Sequence, residues 1–166
     1  MGQTARFLLA TDRADSGGAV LGLDLVVILF ADYFGDKLEH ADATLERQDN
    51  ARDLLERVNR LLQQATNEGA YLEWLDDDTG TQISGSKGGY GDGGFRLQLA
   101  TTGKPFSSHK QGRAVDVFDP HGRLDDWLTD ETLEQFGLYR EAPQATRGWC
   151  HLSTQAPGSG KRTFIP

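Results

Sequence analysis

Residues 107–118 read Ser107-Ser108-His109-Lys110-Gln111-Gly112-Arg113-Ala114-Val115-Asp116-Val117-Phe118. An imidazole and a carboxylate stand seven residues apart, with Gly112 available for a turn between them. Ala114 is small enough to let a strand approach a neighbour closely. Residues 114–118 read as a strand in which Asp116 alternates with Val115 and Val117. A carboxylate in such a place is costly unless it is paired or bound to a metal. A second short strand is expected at residues 148–152, around Trp149-Cys150-His151-Leu152. The two-residue period puts Trp149 and His151 on one face and Cys150 on the other. Two imidazoles and a carboxylate (His109, His151 and Asp116) form a common zinc ligand set that leaves a fourth position for water or substrate.

Working outward, the clearest element is a helix over residues 49–67. Leu54, Leu55, Val58, Leu61, Leu62 and Ala65 recur there at helical spacing. Asp49 or Asn50 can cap its start and Gly69 can end it. Strands are expected at 71–75, 81–84 and, weakly, 95–100, and a helix at 125–136 with Trp127, Leu128 and Leu133 inward. A loop with six glycines spans residues 85–94 and is expected to form a rim over the cleft. The apolar run at 20–30 fits a buried strand or a buried helix equally well. Mixed helices and short strands without βαβ regularity predict an α+β fold. The expected domain is small, with an antiparallel sheet flanked by helices. Residues 1–29 are expected as an N-terminal extension packed on a domain at 30–154, and residues 155–166 as a tail.

The chain has 166 residues and a net charge of −8. That charge argues against a nucleic-acid partner, which calls for a basic face. One cysteine rules out an internal disulfide framework. The run at 20–30 is about half the length of a spanning helix, so no membrane span is expected. Its flanks do not fit a signal peptide either, and a cytoplasmic, monomeric product is expected.

The pattern Ser107-x-His109-x-x-Gly112-x-Ala114-x-Asp116, followed by Trp149-x-His151, resembles the zinc D-Ala-D-Ala carboxypeptidase family, of the hedgehog/DD-peptidase superfamily. The resemblance covers residues 30–152. Ile83-Ser84-Gly85 is similar to a strand-to-loop step that precedes a substrate-binding region in relatives. It implies zinc held by His109, Asp116 and His151, and peptidoglycan stem peptides as substrate. It also implies carboxypeptidase or endopeptidase action and delivery to the wall by a phage-type route. One departure stands out. Relatives often carry an acidic general base three residues before the last histidine, and Gly148 stands there. Glu141 is the first candidate to replace it and Asp119 the second. Arg96, or Lys87, is the candidate cation for a substrate carboxylate, and Ser107 a candidate to orient substrate or ligand.

Each feature also has an ordinary structural meaning. His109 and Asp116 can form a salt bridge, His151 can be a buried core histidine, and Arg96 can be a solvated surface charge. An inactive zinc-binding module of a phage particle or cell-wall binder is the alternative to an enzyme, and Gly148 favours it. Gly89-x-Gly91-x-x-Gly94 imitates a dinucleotide fingerprint but precedes no helix. Cys150 reads as a core residue, His121 and His40 as loop residues, and Asp76-Asp77-Asp78 as a solvated turn.

Overall fold

The longest element is the helix α2, Leu45–Asn67. It begins four residues earlier than its apolar pattern predicts, because Thr44 caps it. The Thr44 hydroxyl accepts the Arg47 N–H at 3.4 Å. Its apolar stripe from Ala51 to Ala65 is buried and joins Val115, Val117, Cys150 and Leu152 in one core. The computed structural model describes residues 27–72, 74–85, 93–101 and 103–166. Most of the 20–30 run, the centre of the glycine-rich rim and Lys87 lie outside the described residues.

The fold is mixed α/β in a single chain, with four α-helices and a four-stranded sheet among the described residues. The strands are β1, Ala114–Phe118, β2, Tyr139–Glu141, β3, Trp149–Ser153, and β4, Thr163–Phe164. Their order is β1-β3-β2-β4. The expected all-antiparallel sheet needs correction, since β4 runs parallel to β2. The position beside β3 is already filled by β2, so the chain returning from β3 lands one strand further out. Residues 155–166, read from sequence as a tail, therefore contribute a strand.

Register matters more than strand count here. Asp116 faces His151 directly across β1 and β3. On the other side of β3, Arg140 faces Leu152, and one further step sets Glu141 beside His151. Glu141 in turn faces Phe164. One row across the sheet thus reads Asp116, His151, Glu141, Phe164. Val115, Val117, Cys150 and Leu152 point to the opposite face and are buried in the core.

Several predicted elements are shorter or absent. Residues 71–75 form no strand among those described. Tyr71 is instead buried by its side chain, and its hydroxyl donates to the Phe118 carbonyl at 3.4 Å. Only Ile83 of 81–84 makes a bridge, to Val117. Residues 95–100 turn rather than extend, with the Ala100 N–H on the Leu97 carbonyl. The outer edge of β1 is served by short irregular pieces: Ser84 donates to the Asp116 carbonyl, and Asp116 donates to Gly93, both at 2.8 Å. The expected helix at 125–136 is two helices, α3, Arg123–Trp127, and α4, Asp130–Phe136. Leu128 is extended and Thr129 starts the second helix as its cap, accepting the Thr132 N–H at 3.2 Å. A short helix α1, Phe30–Phe34, brings the Tyr33 hydroxyl to the Ala114 carbonyl at 2.9 Å.

Candidate metal centre

His109 sits in a 3₁₀ turn, Ser108–Gln111, that ends at Gly112 with φ +70°. A side chain at Gly112 would also run into the Arg47 carbonyl of α2, so glycine is required there on two counts. Gly94 is constrained on one count, by the Tyr33 backbone that a Cβ would meet. The Gly94 carbonyl lies 2.9 Å from His109 Nδ1. A carbonyl only accepts, so Nδ1 carries the proton and Nε2 presents a lone pair. Hydrogen bonds of this kind fix the tautomer of metal-ligating histidines.

That Nε2 lies 3.3 Å from His151 Nδ1 and 3.3 Å from Asp116 Oδ1. His151 Nδ1 lies 2.8 Å from the same Oδ1. All three side chains are buried. Three electron-pair donors converge on one point, and a single shared proton cannot satisfy all three contacts. A tetrahedral metal with ligands at about 2.0–2.1 Å has ligand–ligand edges of about 3.3 Å. Two of the three edges match that figure and the third is slightly shorter. This buried group could therefore hold a metal ion.

The electrostatics agree with a carboxylate prepared for a cation. Burial alone would lift the Asp116 carboxyl, but the two imidazoles hold it well below the usual carboxylate range. Arg96 adds a direct ion pair, Nη2 to Asp116 Oδ2 at 3.1 Å. Burial pushes His109 below the ordinary imidazole value. The same burial acts on His151, but its hydrogen bond and charge interaction with Asp116 outweigh it and leave it raised. Glu141 adds to that rise.

The three residues open onto a cavity of about 590 Å³, within the range of small-ligand sites. Arg96, Ser107 and Glu141 all line it, so the first-choice cation, the candidate orienting serine and the first-choice base reach one cleft with the three metal-site residues. Arg96 is only 8% exposed and holds the second oxygen of Asp116, which does not fit a solvated surface charge. Asp119 does not fit the base role. It is buried, and its two oxygens accept the backbone N–H groups of Arg123 and Asp125, each at 3.0 Å. His121 stacks edge-on against Trp74 at 5.4 Å, away from the cleft lining. The His40 ring accepts the Asp42 N–H on the surface. Asp76 is buried rather than solvated, with its oxygens accepting Asp78 and Gly85 N–H groups.

Sequence reasoning missed four contributors, Phe164, Pro166, Phe106 and Lys110. Phe164 and Pro166 of the last segment join Trp149 in an apolar wall; the Gly- and Ser-rich composition before them gave no sign of a strand. Phe106 stands 86% exposed at the edge of the cleft. Lys110 is buried, and its ammonium donates to the Gln98 and Ala100 carbonyls at 3.0 and 2.9 Å. It thereby ties the segment after Arg96 to the turn that carries His109. Cys150 lies behind the site, buried in the core, where burial foremost pushes its thiol up. Gly148 has φ +94° and open space where a side chain would begin, so no acid stands there.

Among the described residues no helix is long and apolar enough to cross a membrane. Comparison of the chain with protein-family models, curated proteins and solved structures finds no match.

Proposed function

We propose that the chain is a zinc peptidase acting on peptidoglycan stem peptides or their crosslinks, with His109, Asp116 and His151 as the metal ligands. The observation that carries this reading is the near-tetrahedral triangle of His109 Nε2, His151 Nδ1 and Asp116 Oδ1 at the floor of a peptide-sized cleft. Zinc in such a three-ligand site supplies a Lewis acid and brings the pKa of water to about 7. The motif resemblance to the D-Ala-D-Ala carboxypeptidase family supplies the substrate class, and a phage-type route to the wall goes with it.

The chain's own groups divide the remaining work. Gly94 holds His109 in the tautomer whose Nε2 faces the centre. Arg96 orients Asp116 through the oxygen that points away from the two imidazoles. Glu141 stands one strand from His151 in the same row and lines the cleft. Its carboxylate takes the proton of the attacking water and returns it to the leaving amine, the role that Gly148 cannot fill. Ser107, at the mouth of the turn that carries His109, contacts the bound peptide.

The competing reading is a zinc-stabilised wall-binding or phage structural module, favoured by the missing acid at Gly148. Metal analysis of the purified chain should give one zinc per chain, and none for His109→Ala. Digestion of purified peptidoglycan should release new amino groups, stop with chelator and resume with added zinc. A chain that binds zinc and wall but releases no amino groups is the module; a chain that binds no zinc is neither.

A further inference from the structure

Toward its end α2 carries an amide side chain at every fourth residue, Asn59, Gln63 and Asn67. Asn59 shows what such an amide does. Its Oδ1 accepts the Ile28 N–H at 2.8 Å, and its Nδ2 donates to the Ile28 carbonyl at 3.2 Å. Both peptide groups of one residue are thus held from one side, as a neighbouring strand would hold them. The chain is extended where it enters α1, with Leu29 at φ −76° and ψ 146°, so the apolar run is not helical at this end. As residue numbers fall along this entry, they rise along α2. Phe30 lies under the Arg52 guanidinium at 4.7 Å, Ile28 meets Asn59, and Val27 lines a groove of about 430 Å³ together with Gln63 and Asn67.

The next amide in the row is incomplete. Gln63 Oε1 is buried with no hydrogen-bond partner among the described residues, a costly state for an amide oxygen. Gln63 Nε2 donates one hydrogen to Asn67 Oδ1 at 3.2 Å and keeps the other. We infer that residues 23–26 of this chain occupy the groove as an extended strand, with the peptide groups of Val26 on Gln63 and those of Asp24 on Asn67. Four residues of α-helix rise about 6.0 Å and two residues of strand about 6.4–6.8 Å. The amide row and the alternate peptide groups therefore stay in step from Ile28 to Asp24. The Val26 N–H is the donor that Gln63 Oε1 lacks. Leu23 and Leu25 share the side on which Val27 lines the groove. Asp24 is the only charged residue from 20 to 28. The groove offers it one cation, Arg60, stacked on Phe136 and without an ion pair among the described residues, and no carboxylate lines it. Val27 already stands in the groove, so its own chain reaches the amides before any second molecule does. The docked segment anchors the start of α1. The Tyr33 carbonyl of that helix takes the Phe95 N–H at 2.9 Å, next to the Gly94 that orients His109.

Amide hydrogen exchange of the full chain, read residue by residue by NMR, tests this. Relative to their intrinsic rates, Val26 and Asp24 should exchange at least about 10-fold more slowly than Leu25 and Leu23, the alternation of a strand held on one side. Gln63→Met keeps the length and the packing without the amide, and should remove the protection at Val26. Val26→Pro deletes the N–H that Gln63 accepts and should speed exchange at Asp24 by about 10-fold. Leu25→Pro deletes an N–H that faces outward and should leave Val26 and Asp24 within about twofold of the parent. Uniformly fast exchange from 23 to 26, continuous protection of a helical kind, or an alternation that survives Gln63→Met overturns the docking. A synthetic peptide of residues 20–28 added to the full chain should leave the side-chain amide signals of Gln63 and Asn67 unmoved. Saturable shifts of those signals would mean that the groove is open to another chain, and would overturn the choice of occupant.

Discussion

Replacing Glu141 by Gln separates two things that this residue can do. The register places it one strand from His151, at about 5 Å, on the cleft face. At that distance a carboxylate favours a cationic centre by about 1–3 kcal/mol, for an effective dielectric between that of bulk water and about 20. The glutamine keeps the size and loses the charge. Metal affinity should therefore weaken by about 5- to 150-fold, which excess zinc overcomes. Loss of the proton acceptor is different, because no amount of zinc restores it. General-base assistance contributes about 10²–10⁴-fold, so kcat should fall by that factor at saturating zinc with KM nearly unchanged. Amine release from a stem-peptide substrate, measured across a zinc titration, reads both effects at once. If Glu141→Gln regains full kcat once zinc saturates, Glu141 acts on the metal alone and the base assignment is wrong.

Arg96→Met removes the only ion pair to Asp116 Oδ2 made by a permanently charged group among the described residues. The metal-free chain should lose about 3–5 kcal/mol in urea unfolding, and added zinc should restore part of that loss; an unchanged midpoint would show the pair to be unimportant. Gly112→Ala meets both a left-handed φ and the Arg47 carbonyl. It should cost at least about 1–2 kcal/mol and weaken zinc binding through the displaced His109, as read by competition with a chromogenic chelator. Asp125 keeps its proton up to about pH 6, chiefly because it is buried, against 3.8 for the free group. Between those values the native chain binds more protons than the unfolded one, so stability should fall as pH rises from 4 to 6. Asp125→Asn should flatten that slope in pH-dependent melting curves; an unaltered slope would place its origin elsewhere.

The parts of the site that were legible in the sequence are those whose spacing carries their meaning. Asp116 between two valines announces a carboxylate on the polar face of a strand, and the structure puts it opposite His151. The stripe from Leu54 to Ala65 announces its helix, and only the cap at Thr44 shifts its start. Glu141 was a matter of proximity alone. Its neighbours Tyr139 and Arg140 show no alternation that marks a strand, and its place beside His151 depends on a pairing made ten residues later. β4 was hidden further, since a two-residue strand has no period and its partner lies 23 residues back. The strand expected at 95–100 failed for the converse reason. Phe95 and Arg96 are fixed by what their side chains reach, the core and Asp116, rather than by a ladder.

Cys150 is the only thiol in the chain, and it is sealed on the reverse side of the strand that carries His151. A thiol-labelling reagent can reach it only when that strand comes away from its packing, so the labelling rate counts such openings one molecule at a time. Cations that bind on the front of the strand should slow a reaction on its back, without the reagent and the ion ever competing for the same atom.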